Sequence, residues 1–295
     1  MKIAVIGANG QLGSDLVAAF AANGDSVQPL THSDIEISDP DSVARALEAI
    51  QPQVIVNTAA MHHVENCERD PVKAFQINAV GARNLAFESR QLGAVLMHVS
   101  TDYVFDGEKD QPYVEEDVPR PLNAYGISKL AAEHFVRATT ARHFVIRSSG
   151  LYGTSLCRAK GGVNFVELML KLANERGEVK VVDSEFVTPT STAELARQIV
   201  RLSRSECYGL YHATAEGSCS WYEFAREIFV ATNTPCRVLV AGPNEFPAKV
   251  PRPKYSVLEN RALKSQQLNI FRPWQEGLHA YLAKRNKPAP LQVNA

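Results

Sequence analysis

The sequence predicts an α/β protein: a doubly wound, mostly parallel sheet followed by a smaller, mixed α/β region. Three observations carry this. Short apolar runs alternate with helical stretches from the first residues onward, the order expected of a parallel sheet wrapped by helices. The first turn reads Gly7-Ala8-Asn9-Gly10-Gln11-Leu12-Gly13, with glycines three apart between a strand and a helix. The run Val95-Leu96-Met97 leads into Val99-Ser100-Thr101-Asp102-Tyr103-Val104-Phe105, so a buried strand ends on hydroxyl and carboxyl groups.

Lys2–Ile6 is the first strand, too short for the apolar segment of a secretory signal. Glycines in the turn after it let a pyrophosphate approach the backbone. The helix over 14–22 then offers free N–H groups and the positive end of its dipole. A glycine triplet in this position makes the fold Rossmann-like. Ser26–Leu30 is the second strand. It ends in Leu30-Thr31-His32-Ser33, with neither the acid that holds a ribose hydroxyl nor an Arg for a 2′-phosphate, so NAD and NADP both stay open. Asp34 and Glu36 follow closely enough to join an adenosine pocket.

Pro40–Ile50 reads as a helix with Asp39 as its cap. Val54–Asn57 is an apolar strand, and Thr58-Ala59-Ala60 after it leave room for a ligand at the sheet's carboxyl edge. Residues 70–92 read as one long helix with Pro71 in its first turn. Asn78 interrupts the pattern of Phe75, Ile77, Ala79 and Val80, either as a satisfied core amide or as the holder of an active-site water. After the Pro119/Pro121 loop, Asn123-Ala124-Tyr125-Gly126-Ile127-Ser128-Lys129 opens a helix that continues over 130–138. Residues 143–147 are the next strand.

Beyond Ser148 the texture becomes irregular. Residues 150–162 form a glycine-containing loop. Phe165, Leu168, Met169 and Leu172 recur at helical steps over 164–176. A strand over 179–182, a helix over 191–203 opened by Thr188-Pro189-Thr190, a strand over 209–213 and a helix over 221–231 follow. Arg252-Pro253 lies in a proline-rich loop, and Trp274–Arg285 closes the fold. We read residues 1–150 as a dinucleotide-binding domain completed by parts of 188–215. Residues 151–285 form a second, interleaved domain, and 286–295 a flexible tail. No internal repeat is visible.

The chain has 295 residues, 45% of them hydrophobic, and a formal net charge of −1. So small a charge gives no field to attract nucleic acid or anionic lipid. No apolar run reaches the roughly 18–20 residues of a membrane span. Cys67, Cys157, Cys207, Cys219 and Cys236 form no Cys-x-x-Cys pair, which favours free thiols packed as small apolar residues in a reducing cytoplasm.

Tyr125 and Lys129 are four residues apart and share one helix face. An ammonium beside a phenol lowers the phenol's pKa from about 10 toward neutrality, which makes Tyr125 a usable proton donor or acceptor. Thr101 is placed to hydrogen-bond the oxygen being protonated.

These motifs together resemble the extended short-chain dehydrogenase/reductases, and within them the dTDP-4-dehydrorhamnose reductase family. The likeness runs over nearly the whole chain. It includes Gly7 to Gly13, Ser100 to Phe105, Pro121 to Lys129, Gly162 to Phe165, Thr188-Pro189-Thr190, Gly209-Leu210-Tyr211-His212, Ser220 to Ala225 and Pro251-Arg252-Pro253. The resemblance implies a cytoplasmic, NADPH- or NADH-dependent reductase of the C4 ketone of a nucleotide-linked 4-keto-6-deoxy sugar, most specifically dTDP-4-dehydrorhamnose, acting as a monomer or homodimer. Residues 151–285 would then bind the substrate. Tyr125 would protonate the C4 oxygen, Lys129 would hold the nicotinamide ribose and tune Tyr125, and Thr101 would orient the carbonyl. The cofactor would lie on Gly7, Gly10, Gln11, Leu12, Glu36, Ile37, Ala59, Ala60 and Ser100. The substrate would meet Thr101, Asp102, His62, Val64, Asn164 and Arg252. Some members use Mg²⁺ at a subunit contact, but the sequence offers no assignable ligand set.

Several positions depart from the family pattern. Gly150 stands where the family usually has Trp, His62 where it has Thr, Glu65 where it has Asp, and Ser184-Glu185 where it has Asp-Gln. We expect a gap at Gly150 that His62 fills. Sugar-nucleotide dehydratases of this fold typically show Thr-Asp-Glu where this chain has Thr101-Asp102-Tyr103, so the acid that expels water is missing. The altered pocket also admits an alternative: a non-catalytic NADP-binding regulatory subunit resembling the methionine adenosyltransferase beta subunit. The complete Thr101/Tyr125/Lys129 set weighs against it.

Overall fold

The computed structural model describes residues 1–156, 162–242, 245–246 and 248–285. In chain order the first half contains β1 (Lys2–Ile6), α1 (Gln11–Ala22), β2 (Ser26–Leu30), α2 (Pro40–Ile50), β3 (Val54–Asn57) and α3 (Val64–Arg69). Then come α4 (Pro71–Phe75), a π turn (Gln76–Val80), α5 (Gly81–Gln91), β4 (Val95–Thr101), α6 (Ala124–Thr139) and β5 (His143–Ser148). The second half adds β6 (Leu151–Tyr152), α7 (Phe165–Arg176), β7 (Glu178–Val181), β8 (Phe186–Val187), β9 (Thr190–Ser191) and α8 (Thr192–Leu202). It closes with β10 (Gly209–His212), β11 (Cys219–Ser220), α9 (Trp221–Thr232), β12 (Arg237–Val240), α10 (Arg261–Ser265) and α11 (Trp274–Arg285).

Six strands pair in the order β10-β5-β4-β3-β1-β2, every pair parallel. Both faces of such a sheet are covered, which is why its strands read as nearly continuous apolar runs. Alternation along β4 divides its side chains. Val95 and Met97 join α1 and α8 in one core, while Leu96 packs with Ala132 and Val136 of α6 and with residues of α2 and α5 in another. β1 leads outward to β2 on one side and pairs with β3 on the other, so a crevice opens beyond the carboxyl ends of β1 and β3. β10 adds the sixth strand beside β5, and α8 packs with α1 against the sheet. A separate core gathers α7, α9 and α11 around Phe224 and Trp274.

The expected helix over 70–92 is instead α4, a π turn and α5. α3 escaped the sequence reading because six residues carry too little periodicity. Two-residue strands such as β6 and β9 escaped for the same reason. The Asp39 side chain accepts from the Asp41 N–H and caps α2 as anticipated. Four described cysteines are free; Cys67 and Cys219 are buried, but Cys207 is exposed, against the expectation for all five. Cys157 and the 286–295 tail lie outside the described residues.

One ion pair fixes α6 against the sheet. Arg147 of β5 grips Glu133 of α6 through Nη2 to Oε2 at 2.7 Å and Nε to Oε1 at 2.9 Å. Both side chains are 2% exposed or less. Ser100 of β4 donates to the same carboxylate at 2.5 Å. The guanidinium also lies over the Phe105 ring, 5.1 Å from its centroid. Arg147→Met strands a buried carboxylate and should destabilise the fold by about 3–5 kcal/mol in urea unfolding, whereas Arg147→Met with Glu133→Leu should recover part of that loss. A single-variant loss below about 1 kcal/mol contradicts the anchoring role.

Candidate active site

The glycine turn is shaped by backbone contact. Gly7 has φ +79°, and a Cβ there would meet Thr58 Oγ1 at 2.6 Å. A Cβ on Gly13 would stand 2.1 Å from the Gly7 carbonyl oxygen, so the turn closes only on glycine. Gly10 caps α1 without a side-chain bond, and the first turn carries no acid. The N–H groups of its first turn are therefore left without side-chain acceptors, the donor array a pyrophosphate requires. Ala59 and Ala60 stand half-buried just after β3. A dinucleotide fits this cradle.

Beside it, the end of β4 meets the start of α6. Asn123 accepts from the Gly126 N–H at 2.9 Å and donates to the Pro251 carbonyl at 2.9 Å, which starts the helix and ties it to the proline-rich loop. This brings the Tyr125 phenol beside the Thr101 hydroxyl. The Thr101 oxygen also accepts from the Tyr103 N–H at 3.2 Å and donates to Asp102 Oδ1 at 3.0 Å. The Tyr103 and Tyr125 rings meet edge to face at 5.8 Å. Burial raises the Tyr125 pKa, the Thr101 bond opposing it.

Lys129 corrects one expectation. Its ammonium does not point at the phenol. Nζ donates to the Val99 carbonyl at 2.6 Å and lies 3.2 Å from His98 Nε2. Burial pushes its pKa down to about 8, against the pull of Glu133. The shared helix face is real, but β4 offers the nearer partners, so Tyr125 is not brought toward neutrality by Lys129 in this state.

Other side chains also turn elsewhere. Ser100 points to Glu133 of α6. Asp102 is buried and takes hydrogen bonds from Ser149 at 2.9 Å and from Thr101 at 3.0 Å, which commits its carboxylate within the protein. Asn164 caps α7 and donates to Gly153 O and the Tyr281 hydroxyl at 2.9 and 3.1 Å. The Gln11 side chain donates to the same Gly153 carbonyl at 3.0 Å, which leaves its backbone N–H for an anion. Ile37 belongs to the core, and its carbonyl accepts from Asn84. Glu36 folds onto Ser38, and that bonding lowers its pKa. Asn78 is the satisfied amide: it bonds both backbone groups of Met61 and donates to Ser128. Val64 is buried at the start of α3, and His62 is exposed.

On the open side Arg252 donates to Glu65 Oε1 at 2.5 Å. Its Nε is buried with no hydrogen-bond partner, a donor suited to an anionic ligand. Tyr103 and Glu65 are its electrostatic neighbours. Tyr103 was passed over as a site residue in the sequence because its place beside Thr101 depends on the turn over Asp102–Val104. His98 and Asn57 were missed too, although a polar residue inside an apolar strand was the available signal. Among the described residues no cluster of three or more His, Cys, Asp or Glu is arranged for a metal.

Gly150 overturns a second expectation. Its φ is +58°, and a Cβ would meet Val187 Cγ2 at 2.8 Å and the Thr188 carbonyl at 2.9 Å. No gap awaits His62, because the β8–β9 segment closes onto Gly150 itself.

The chain matches the family model described as RmlD substrate binding domain over residues 1–287. It is 41% identical over 285 residues to the spore coat polysaccharide biosynthesis protein SpsK of Bacillus subtilis (strain 168), covering 97% of this chain and 98% of that one. It is 34% identical over 299 residues to dTDP-4-dehydrorhamnose reductase of Escherichia coli (strain K12), covering 96% and 97%. A crystal structure of dTDP-4-dehydrorhamnose reductase from Bacillus anthracis str. Ames in complex with NADP superposes with a TM-score of 0.91 at 37% identity, covering 96% of this chain and 99% of that chain.

Gly150→Trp should destabilise the protein by about 1–3 kcal/mol or more, through its left-handed backbone and the contact with β8–β9. His62→Thr should not relieve it, so the two changes should add within about 0.5 kcal/mol in thermal or urea unfolding. Rescue by His62→Thr restores the shared-pocket idea.

Proposed function

The chain belongs to the RmlD substrate binding domain family, and from that premise we propose that it is an NAD(P)H-dependent reductase of the C4 ketone of a nucleotide-linked 4-keto-6-deoxy sugar, converting dTDP-4-dehydrorhamnose to dTDP-L-rhamnose. The observation that carries this is the meeting of Thr101, at the end of β4, with Tyr125, in the first turn of α6, beside the glycine cradle, with Lys129 buried behind it. Residues 1–150 with the 188–215 segment form the cofactor side, and the rest of 151–285 the sugar side.

The nicotinamide ring, when bound, supplies hydride to the sugar carbonyl carbon. The backbone of Gly10 to Leu12 receives the pyrophosphate at the start of α1, and Ala59 and Ala60 leave space for the adjoining ribose. Tyr125 supplies the proton. Its raised pKa keeps the phenol protonated across the ordinary pH range, which is the form a ketone reduction consumes. The proton passes from Tyr125 Oη to the carbonyl oxygen, a C–H and an O–H bond replace the C=O π bond, and Tyr125 is left as phenolate. Thr101, braced by Asp102, stands beside the phenol where the carbonyl oxygen must approach. The unpartnered Nε of Arg252 offers the anionic, nucleotide end of the substrate a charged donor.

Tyr125→Phe removes the acid but keeps the ring against Tyr103. Turnover measured as NADPH oxidation with dTDP-4-dehydrorhamnose should fall about 10²–10⁴-fold, with cofactor binding retained. More than half the wild-type rate overturns the assignment.

For the cofactor, β2 ends with neither a ribose-binding acid nor an Arg, and Glu36 is committed to Ser38. NADH and NADPH should both bind, within about tenfold of each other, or 1.4 kcal/mol. A hundredfold preference in calorimetric titration contradicts this.

A further inference from the structure

Two residues behind Lys129 have no role in the mechanism above, yet they are polar in the middle of an apolar sheet. Asn57 and His98 are each 1% exposed and stand opposite each other in β3 and β4. Asn57 Nδ2 lies 3.1 Å from His98 Nδ1. Asn57 Oδ1 accepts the Ala59 N–H at 3.0 Å. That second bond fixes the amide's orientation, so Asn57 presents an N–H to the ring and Nδ1 must accept it. Burial between the strands disfavours the imidazolium and holds the His98 pKa well below its usual value, which favours the neutral ring. A neutral imidazole has one N–H and one bare nitrogen. With Nδ1 bare, the proton is on Nε2, the atom 3.2 Å from Lys129 Nζ.

Nζ already donates to the Val99 carbonyl at 2.6 Å. An ammonium has donors only and would set N–H against N–H at Nε2. An uncharged amine can give a hydrogen to Val99 and take the Nε2–H on its lone pair. We propose that His98 is a positioning residue that sets the proton load of Lys129, its tautomer locked by Asn57 and its Nε2–H favouring the uncharged amine.

The surrounding charges fit this arrangement. Glu133, one turn along α6, favours the ammonium, but Arg147 of β5 already matches its charge. Tyr125, one turn back, is a neutral phenol. Cys67 of α3 lies toward Tyr125, and burial pushes its thiol up to about 11, so it adds no charge. β3 contributes only the Asn57 amide. Burial lowers the Lys129 pKa in the same direction as the tautomer does.

The consequence for turnover rests on the reductase reading; the proton positions do not. Nitrogen NMR of the histidine rings in the cofactor-free protein should show His98 with Nε2 protonated and Nδ1 bare across neutral pH. The opposite tautomer, or an imidazolium, overturns the proposal, and this measurement needs no substitution that risks misfolding. A lysine side-chain NMR titration should place Lys129 well below an ordinary lysine. His98→Gln, whose amide oxygen can accept from an ammonium, should raise that midpoint by about one unit or more. An unchanged midpoint in a folded variant overturns the proposal. In kcat/KM, which reports the free enzyme, the alkaline limb should move up with the midpoint. The expected ring and lysine titrations without turnover of any 4-keto sugar nucleotide leave His98's role standing and remove the reductase reading instead.

Discussion

Where α6 sits decides everything at this site, and the Glu133–Arg147 ion pair decides where α6 sits. A parallel sheet buries both faces, so any charge within it must find a partner. Arg147 at the end of β5 finds Glu133, and Glu133 also takes the Ser100 hydroxyl from β4. Two neighbouring strands therefore hold one helix at one point. The Asn123 cap holds the same helix at its other end, against the 251 loop. Between the two anchors lie Tyr125, Ser128 and Lys129, each aimed at a different part of the sheet edge.

Burial then sets the chemistry. It disfavours whichever form of a group is charged, so it raises the phenol and lowers the amine. In the described state Tyr125 and Lys129 are both pushed toward neutrality. Neither partner of the pair supplies the other's charge, because Lys129 is turned to Val99 and His98. Thr101, joined to Asp102, stands beside the phenol.

The second half of the chain is built differently. Gly150, in a left-handed conformation, lets the β8–β9 segment approach the strand that carries Arg147. The space a large aromatic would occupy is taken by Val187 and Thr188 rather than by a distant side chain. Gln11 and Asn164 both donate to the Gly153 carbonyl, so one backbone oxygen joins the glycine turn to α7 across the crevice. Arg252 and Glu65 face each other at its rim.

The sequence by itself determined the alternation of strands and helices, the glycine turn, and the Thr101, Tyr125 and Lys129 set. Each of these is local: a period, a turn conformation or a spacing of four on a helix is readable from neighbours along the chain. It could not tell which way Lys129 would reach, because its partners Val99 and His98 arrive on another element. It could not assign Asn164 to Tyr281 or Asp102 to Ser149, since those contacts join residues far apart in the chain. Asn78 stayed ambiguous until the π turn placed it on Met61. Gly150 looked like a missing side chain and proved to be a site of backbone contact, because only the tertiary structure brings β8–β9 there. Spacing along a chain fixes which groups are available; packing between elements, through burial and competition for hydrogen-bond partners, fixes which of them meet.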